Sequence, residues 1–132
     1  MGIGASTDRT TPTALSGWPS GRTAVALATG GYHTCAILDD GSVRCWGWNG
    51  NGQLGDGTNT AKNTPTALSN WPSGRTAIAL ARGGWHTCAI LDDGSVRCWG
   101  YNGNGGLGDG TTTDRNTPTA LPGWPSGRTA VA

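Results

Sequence analysis

The sequence predicts an all-β fold: β-propeller blades of four antiparallel strands, two repeats of 53 residues per chain, completed by oligomerisation. Thr11-Pro12-Thr13-Ala14-Leu15 returns at Thr64 to Leu68 and again at Thr117 to Leu121, a constant period of 53 residues. Such a period marks a supersecondary unit that buries its apolar face only by stacking on neighbours. The 132 residues include 24 Gly, 7 Pro and 7 Trp but no Glu and no Phe, a composition poor in helix formers and rich in turn formers. Each repeat also holds four short segments of strand character, and four strands in about fifty residues make one propeller blade.

The elements follow in order. Thr23 to Ala28 is a short apolar run closed by Gly30-Gly31, a first strand. His33 to Leu38 and Ser42 to Trp46 flank Asp39-Asp40-Gly41, which suits a three-residue hairpin whose last residue is left-handed and best filled by Gly. That loop sets a register in which Leu38 faces Ser42, Ile37 faces Val43 and Cys35 faces Cys45. A Gly-rich stretch, Gly47 to Gly57, leads to a fourth strand at Thr64 to Leu68 and then to a Trp71-Pro72-Ser73-Gly74 turn. The chain divides accordingly into an N-terminal arm with a fourth-strand segment (1–22), blade repeats at 23–75 and 76–121, and a C-terminal arm starting a further repeat (122–132).

Gly31 to Gly47 (GYHTCAILDDGSVRCWG) followed by Asn49 to Thr58 (NGNGQLGDGT) resembles the repeat of the regulator of chromosome condensation family, especially its bacterial forms. The pattern recurs at Gly84 to Gly100 and Asn102 to Thr111, with Gly106 in place of Gln53. The resemblance implies closed propellers, usually of seven blades, with functions from guanine-nucleotide exchange and chromatin binding to secreted inhibitors of β-lactamases. It therefore specifies a fold far better than a function.

Closed propellers take about four to eight blades, and this sequence encodes two. Residues Thr7 to Ala26 and Thr113 to Ala132 match except at Thr10/Asn116 and Ser16/Pro122, so two near-identical arms compete for one kind of slot. The pattern reads as a piece of a longer array or an engineered unit. Unpaired edges and apolar blade faces recruit another chain, and head-to-tail self-association follows, with Thr11, Pro12, Leu15, Thr117, Pro118 and Leu121 as assembly arms. A heterologous contact of this kind closes into a ring or runs on as a filament.

Cys35/Cys45 and Cys88/Cys98 face each other across the hairpins, at sites where Cα atoms lie about 4.5 Å apart, the short end of the disulfide range. A disulfide in each blade competes with four buried thiols and with a zinc site using His33, Cys35 and Cys45, which supplies only three ligands. Bridges imply an oxidising compartment, extracellular or at the cell surface, although Met1 to Thr10 has no signal-peptide character.

Little else looks chemical. Gly50 to Gly55 fits G-x-G-x-x-G, but no helical periodicity follows it, so its glycines serve turns and close packing. Asp39-Asp40 and Asp92-Asp93 sit in hairpin loops, where Asp bonds local amides. Asn49, Asn51 and Asp56 faintly resemble a calcium loop, yet no Glu exists to complete an EF-hand. His33 and His86 have no visible nucleophile partner and read as rings that satisfy a backbone group between blades. Arg44 and Arg97 are candidates to pair with the loop carboxylates. No catalytic residue, cofactor or metal is expected. A net charge of +1 gives no bias towards nucleic acid or a membrane surface.

Trp46, Trp99 and the Trp-Pro turns read as wedges between blades, supplying the core that Phe otherwise fills. Trp48, Tyr101, Tyr32 and Trp85 stand where the copies differ and are the candidate surface contacts. The expected function is a non-enzymatic scaffold that self-assembles and binds protein. A secreted lectin-like propeller and an exchange factor or chromatin binder by family analogy are the alternatives.

Overall fold

The computed structural model describes residues 17–29, 32–82, 85–103, 105 and 107–121. Among the described residues the strands are β1 Ala24–Thr29, β2 His33–Leu38, β3 Val43–Gly47, β4 Lys62–Ala67, β5 Ala77–Arg82, β6 His86–Leu91, β7 Val96–Gly100 and β8 Arg115–Ala120. They form two antiparallel four-stranded sheets in the orders β1-β2-β3-β4 and β5-β6-β7-β8. Each sheet is one blade.

The hairpin loop builds the register that its sequence implies. Gly41 has φ 82° and closes the turn, Leu38 N–H donates to Ser42 O at 2.9 Å, and Ile37 pairs with Val43 and Cys35 with Cys45. The fourth strand begins earlier than Thr64. A register shift between Cys45 and Gly47 lets Gly47 pair with Lys62 while Cys45 pairs with Thr66, so the ladder is longer than the apolar pattern shows. Pro65 is tolerated there because β4 is an outer strand of its sheet and needs no donor on its free edge.

β5 lies beside both β1 and β2 of the first blade, and the apolar residues of β1 and β5 are not all covered. Val25, Leu27 and Ile78 are exposed. The core sits between the blades instead. Cys35, Ile37, Val43, Cys45 and Leu54 of the first blade pack with Ala77, Ala89, Leu91 and Trp99 of the second, and Leu68, Trp71 and Leu80 close the cluster.

The loop carboxylates find different cations from those the sequence offers. Arg22 lies 3.5 Å from Asp39 and 3.8 Å from Asp40, and Arg75 lies 3.6 Å from Asp92 and 3.8 Å from Asp93. Arg44 and Arg97 stand mid-ladder, paired with Ala36 and Ala67 and with Ala89 and Ala120, whereas Arg22 and Arg75 come from the Trp-Pro-Ser-Gly turns beside the loops. Trp18 Nε1 and Trp71 Nε1 donate to Arg22 O and Arg75 O at 2.8 and 2.9 Å and hold those turns. The ion pairs are exposed and contribute little. Asp40 and Asp93 act mainly on their own turns: hydrogen bonds from Ser42 and Ser95 lower their carboxyl pKa values.

Candidate functional site

Two surfaces are the candidate sites: the seam between blades and an aromatic ledge where Tyr32 meets Trp85 across it. The seam joins unlike faces. The first blade offers one side of β2 and β3, with Cys35, Ile37, Val43 and Cys45, while the second answers with the other side, Ala89, Leu91 and Trp99. In the first blade the residues matching that answering side, Ala36, Leu38 and Trp46, form a separate buried cluster under Trp18. Both copies therefore carry both faces. Ile37 is 2% and Val43 5% exposed, but their counterparts Ile90 and Val96 are only half-buried.

Polar groups key the two faces together. His33 Nε2 and Thr87 Oγ1 are 2.7 Å apart in a buried contact, so the histidine reaches a side-chain hydroxyl of the next blade. Gln53 is fully buried, and its carbonyl accepts from Trp99 Nε1 at 2.8 Å. Asn51 Nδ2 donates to Asp114 Oδ2 at 2.9 Å, and Asn116 Nδ2 to Asn59 Oδ1 at 3.1 Å. Gly52 explains part of the G-x-G-x-x-G pattern: with φ 82°, it lets the loop approach so closely that a Cβ would lie 2.6 Å from Arg115 O.

Of the residues resembling a calcium loop, Asn49 and Asp56 are bound to each other, whereas Asn51 is bound to Asp114. Asn49 Nδ2 lies within hydrogen-bonding distance of Asp56 Oδ1, Thr58 O and Thr60 O, and Asn49 Oδ1 accepts from Leu54 N–H. Asn102 repeats the arrangement with Asp109, Thr111 and Thr113. These side chains fold the loop that drives Leu54 into the seam. Burial pushes the Asp109 carboxyl up, but hydrogen bonds from Thr111, Arg115 and Asn102 outweigh it and hold the group well below the usual carboxylate range. Among the described residues no cluster of three His, Cys, Asp or Glu could hold a metal ion.

Cys35 and Cys45 are joined by a disulfide with Cα atoms 4.1 Å apart, and Cys88 and Cys98 likewise. This removes the thiolates that a zinc site would need.

The four aromatic residues singled out by the copy differences come together. Trp48 N–H donates to Tyr32 O at 2.8 Å and Tyr101 N–H to Trp85 O at 2.9 Å, which sets each pair side by side. Across the seam the Tyr32 and Trp85 rings meet at 5.4 Å between centroids, tilted by 33°. Tyr32 is 66%, Trp48 48% and Trp85 46% exposed. A Cβ on Gly50 would overlap the Trp48 ring, and one on Gly103 the Tyr101 ring, so each ring lies against glycine backbone. Trp18 meets Trp46 and Trp71 meets Trp99 edge to face, at 6.3 and 6.4 Å, while Trp124 lies outside the described residues.

Of the proposed arms, Thr117 and Pro118 lie in β8 and Leu121 follows it. Thr11, Pro12 and Leu15 lie outside the described residues. Sequence reasoning did not find Gln53, Asn51, Asp114 or Thr87, because each acts on a residue more than thirty positions away. One signal was available: positions 53 and 61 of the first copy differ from 106 and 114 of the second.

Two family descriptions, both of the regulator of chromosome condensation (RCC1) repeat, match residues 24–53 and 76–105, and 40–90 and 93–131. The ultraviolet-B receptor UVR8 of Arabidopsis thaliana is 35% identical over 98 residues, covering 74% of this chain and 22% of the receptor. The probable E3 ubiquitin-protein ligase HERC4 of Homo sapiens is 37% identical over 97 residues, 74% of this chain and 9% of the ligase. The chain thus spans less than a quarter of either relative. In fold it is similar to Prp20p of Saccharomyces cerevisiae, a protein characterised for its binding to Gsp1p and histones. The TM-score is 0.70 at 23% identity, over 78% of this chain and 26% of that one.

Proposed function

This chain belongs to the RCC1 repeat family, and on that premise we propose that it is a non-enzymatic propeller unit. It associates head to tail with copies of itself and presents a protein-binding surface. One observation carries this reading: the seam is heterologous, and Cys88, Ile90 and Val96, the counterparts of residues that the second blade covers on the first, are only half-buried. A face already known to accept a blade is thereby offered to the next chain, and repetition of that contact closes a ring or extends a filament. Ala36, Leu38 and Trp46 are buried in the single chain, so association exchanges one cover for another rather than capping a bare surface. The two bridges favour an extracellular or cell-surface setting for the protein.

Sedimentation velocity over a range of concentrations, with electron microscopy of the heaviest species, tests the reading. Rings or filaments of blades are expected. A monomer that stays monomeric at every concentration would refute it.

The ledge supports a second reading, a sugar-binding surface, because Trp48 and Tyr101 lie with one side against glycine and Tyr32 and Trp85 continue the row. Aromatic rings held this way stack on pyranose faces while nearby amides bond hydroxyls. A glycan array on the assembled protein decides it, and silence on every sugar removes it. Exchange-factor or chromatin activity rests on family analogy alone, and binding assays with nucleosomes and small GTPases address it.

A further inference from the structure

The two disulfides are alike in chemistry, because each joins the second and third strands of its blade at the same repeat position and within the same strand sequences, HTCAIL and VRCWG. Their surroundings differ. Cys35 and Cys45 are both 0% exposed, sealed in the inter-blade cluster by Ala77, Leu91 and Trp99 of the second blade. On β6 burial alternates instead: Thr87, Ala89 and Leu91 are buried, whereas His86, Cys88 and Ile90 on the other face are only half-buried. Val96, opposite Ile90, is half-buried as well. Cys98 is 2% exposed, so the second bridge offers solvent one of its two cysteines, Cys88.

We propose that the Cys88–Cys98 bridge is a thiol-exchange site at which a small-molecule thiol adds to Cys88, while the Cys35–Cys45 bridge is shielded in the folded chain. Exchange begins when a thiolate attacks a disulfide sulfur, so between bridges of like chemistry access decides the rate. Attack at Cys88 Sγ forms a mixed disulfide between Cys88 and the thiol and breaks the bond to Cys98. The electron pair leaves with Cys98 Sγ, and that thiolate takes a proton from water. A second thiolate attacks the sulfur of the first added thiol, releasing the two thiols as a disulfide and Cys88 as a thiolate, which completes a two-electron reduction. Neither β6 nor β7 carries an acidic residue, and the incoming thiolate meets no like charge on either strand. At the first bridge the same attack requires the second blade to lift away, an opening whose small population scales the rate down. The exchange site is a property of the single chain. Its consequence for docking rests on the self-association reading: an adduct at Cys88 occupies the face, beside Ile90, that this reading gives to a second copy.

The test incubates the oxidised chain, dilute enough to sediment as single chains, with an excess of reduced glutathione. After acid quenching and alkylation of free thiols, trypsin places the four cysteines on different peptides, since Arg44 lies between Cys35 and Cys45 and Arg97 between Cys88 and Cys98. Mass spectrometry should find the glutathione adduct on Cys88 and the alkyl label on Cys98, appearing at least about tenfold faster than any change at Cys35 or Cys45. In urea strong enough to unfold the chain the two bridges should react alike. Equal rates in the folded chain, an adduct mainly on Cys98, a rate difference that persists in urea, or no reaction in the folded chain while the unfolded chain reacts would each overturn the assignment. None of these outcomes bears on self-association. At higher concentration the isolated adduct should associate more weakly than the untreated chain. Equal association would overturn the docking consequence alone, and an untreated chain that never associates would overturn that consequence together with the self-association reading, leaving the exchange site to stand on the mapping.

Discussion

Ile37 and Ile90 offer an internal control for what the seam contributes. They occupy the same place in their blades, each paired with Ala on one side and Val on the other: Ala26 and Val43, and Ala79 and Val96. Only their cover differs, since Ile37 is 2% exposed in the inter-blade cluster and Ile90 is half-buried. Truncation to Ala removes three carbons, about 2.4 kcal/mol of transfer free energy at ~0.8 kcal/mol each. At Ile37 a closed cavity adds to this, for a total of about 3 to 4 kcal/mol. At Ile90 the transfer loss is partial and no sealed cavity forms, so about 1 to 2 kcal/mol is lost. The difference, about 2 kcal/mol, is the contribution of the covering blade at that position. Urea titrations followed by tryptophan fluorescence, with Trp99 buried in the same cluster, should separate the two midpoints by roughly 1 M for a slope near 2 kcal/mol per M. Equal losses at low protein concentration would refute the reasoning, because they would mean that the two faces are covered alike. As concentration rises and chains pair, the Ile90→Ala loss should climb towards that of Ile37→Ala.

Three further outcomes are expected. Thr87→Val removes a buried hydroxyl that contacts His33 Nε2 at 2.7 Å and Gln53 O at 3.4 Å and should cost about 1 to 3 kcal/mol, against about 0.5 kcal/mol or less for Thr34→Val; equal melting temperatures for the two variants would count against the keyed seam. Each bridge joins residues ten apart, so the Cys88→Ser/Cys98→Ser variant should lose about 2.5 to 3 kcal/mol on the chain-entropy relation, and no loss in urea unfolding would contradict that pairing. Asp109 has a folded pKa below its unfolded value, so its stabilisation is fully present above about pH 4 and fades as pH falls through the depressed pKa. Asp109→Asn should therefore melt lower than wild type at neutral pH and converge with it in acid, and parallel melting curves across that range would exclude the effect.

Much of one blade was legible in the sequence. The Asp-Asp-Gly loop fixed the hairpin, and through it the pairing of Cys35 with Cys45, because a three-residue turn leaves one choice of register. The start of the fourth strand at Lys62 was not legible, since the shift beside Gly47 extends the ladder through polar residues that carry no apolar signal. The cations of the hairpin were misplaced for a related reason: Arg22 is seventeen residues from Asp39, and only the folded Trp-Pro turn sets it there. The aromatic ledge was half visible. Copy differences singled out Tyr32, Trp48, Trp85 and Tyr101, but not that Tyr32 meets Trp85 across the seam.

The sequence by itself determined the repeat, the strands and the hairpin register, because these depend on periodicity and on turn residues a few positions apart. Which side of each blade meets the next, and which groups lock that contact, was decided only by the tertiary structure. Asn51 and Asp114 stand 63 residues apart and Tyr32 and Trp85 belong to different repeats, and in two nearly identical copies no local pattern distinguishes the covered face from the open one. That distinction exists only once a neighbour is in place, and here the first blade has one over Ile37 and Val43, whose counterparts Ile90 and Val96 are half-buried.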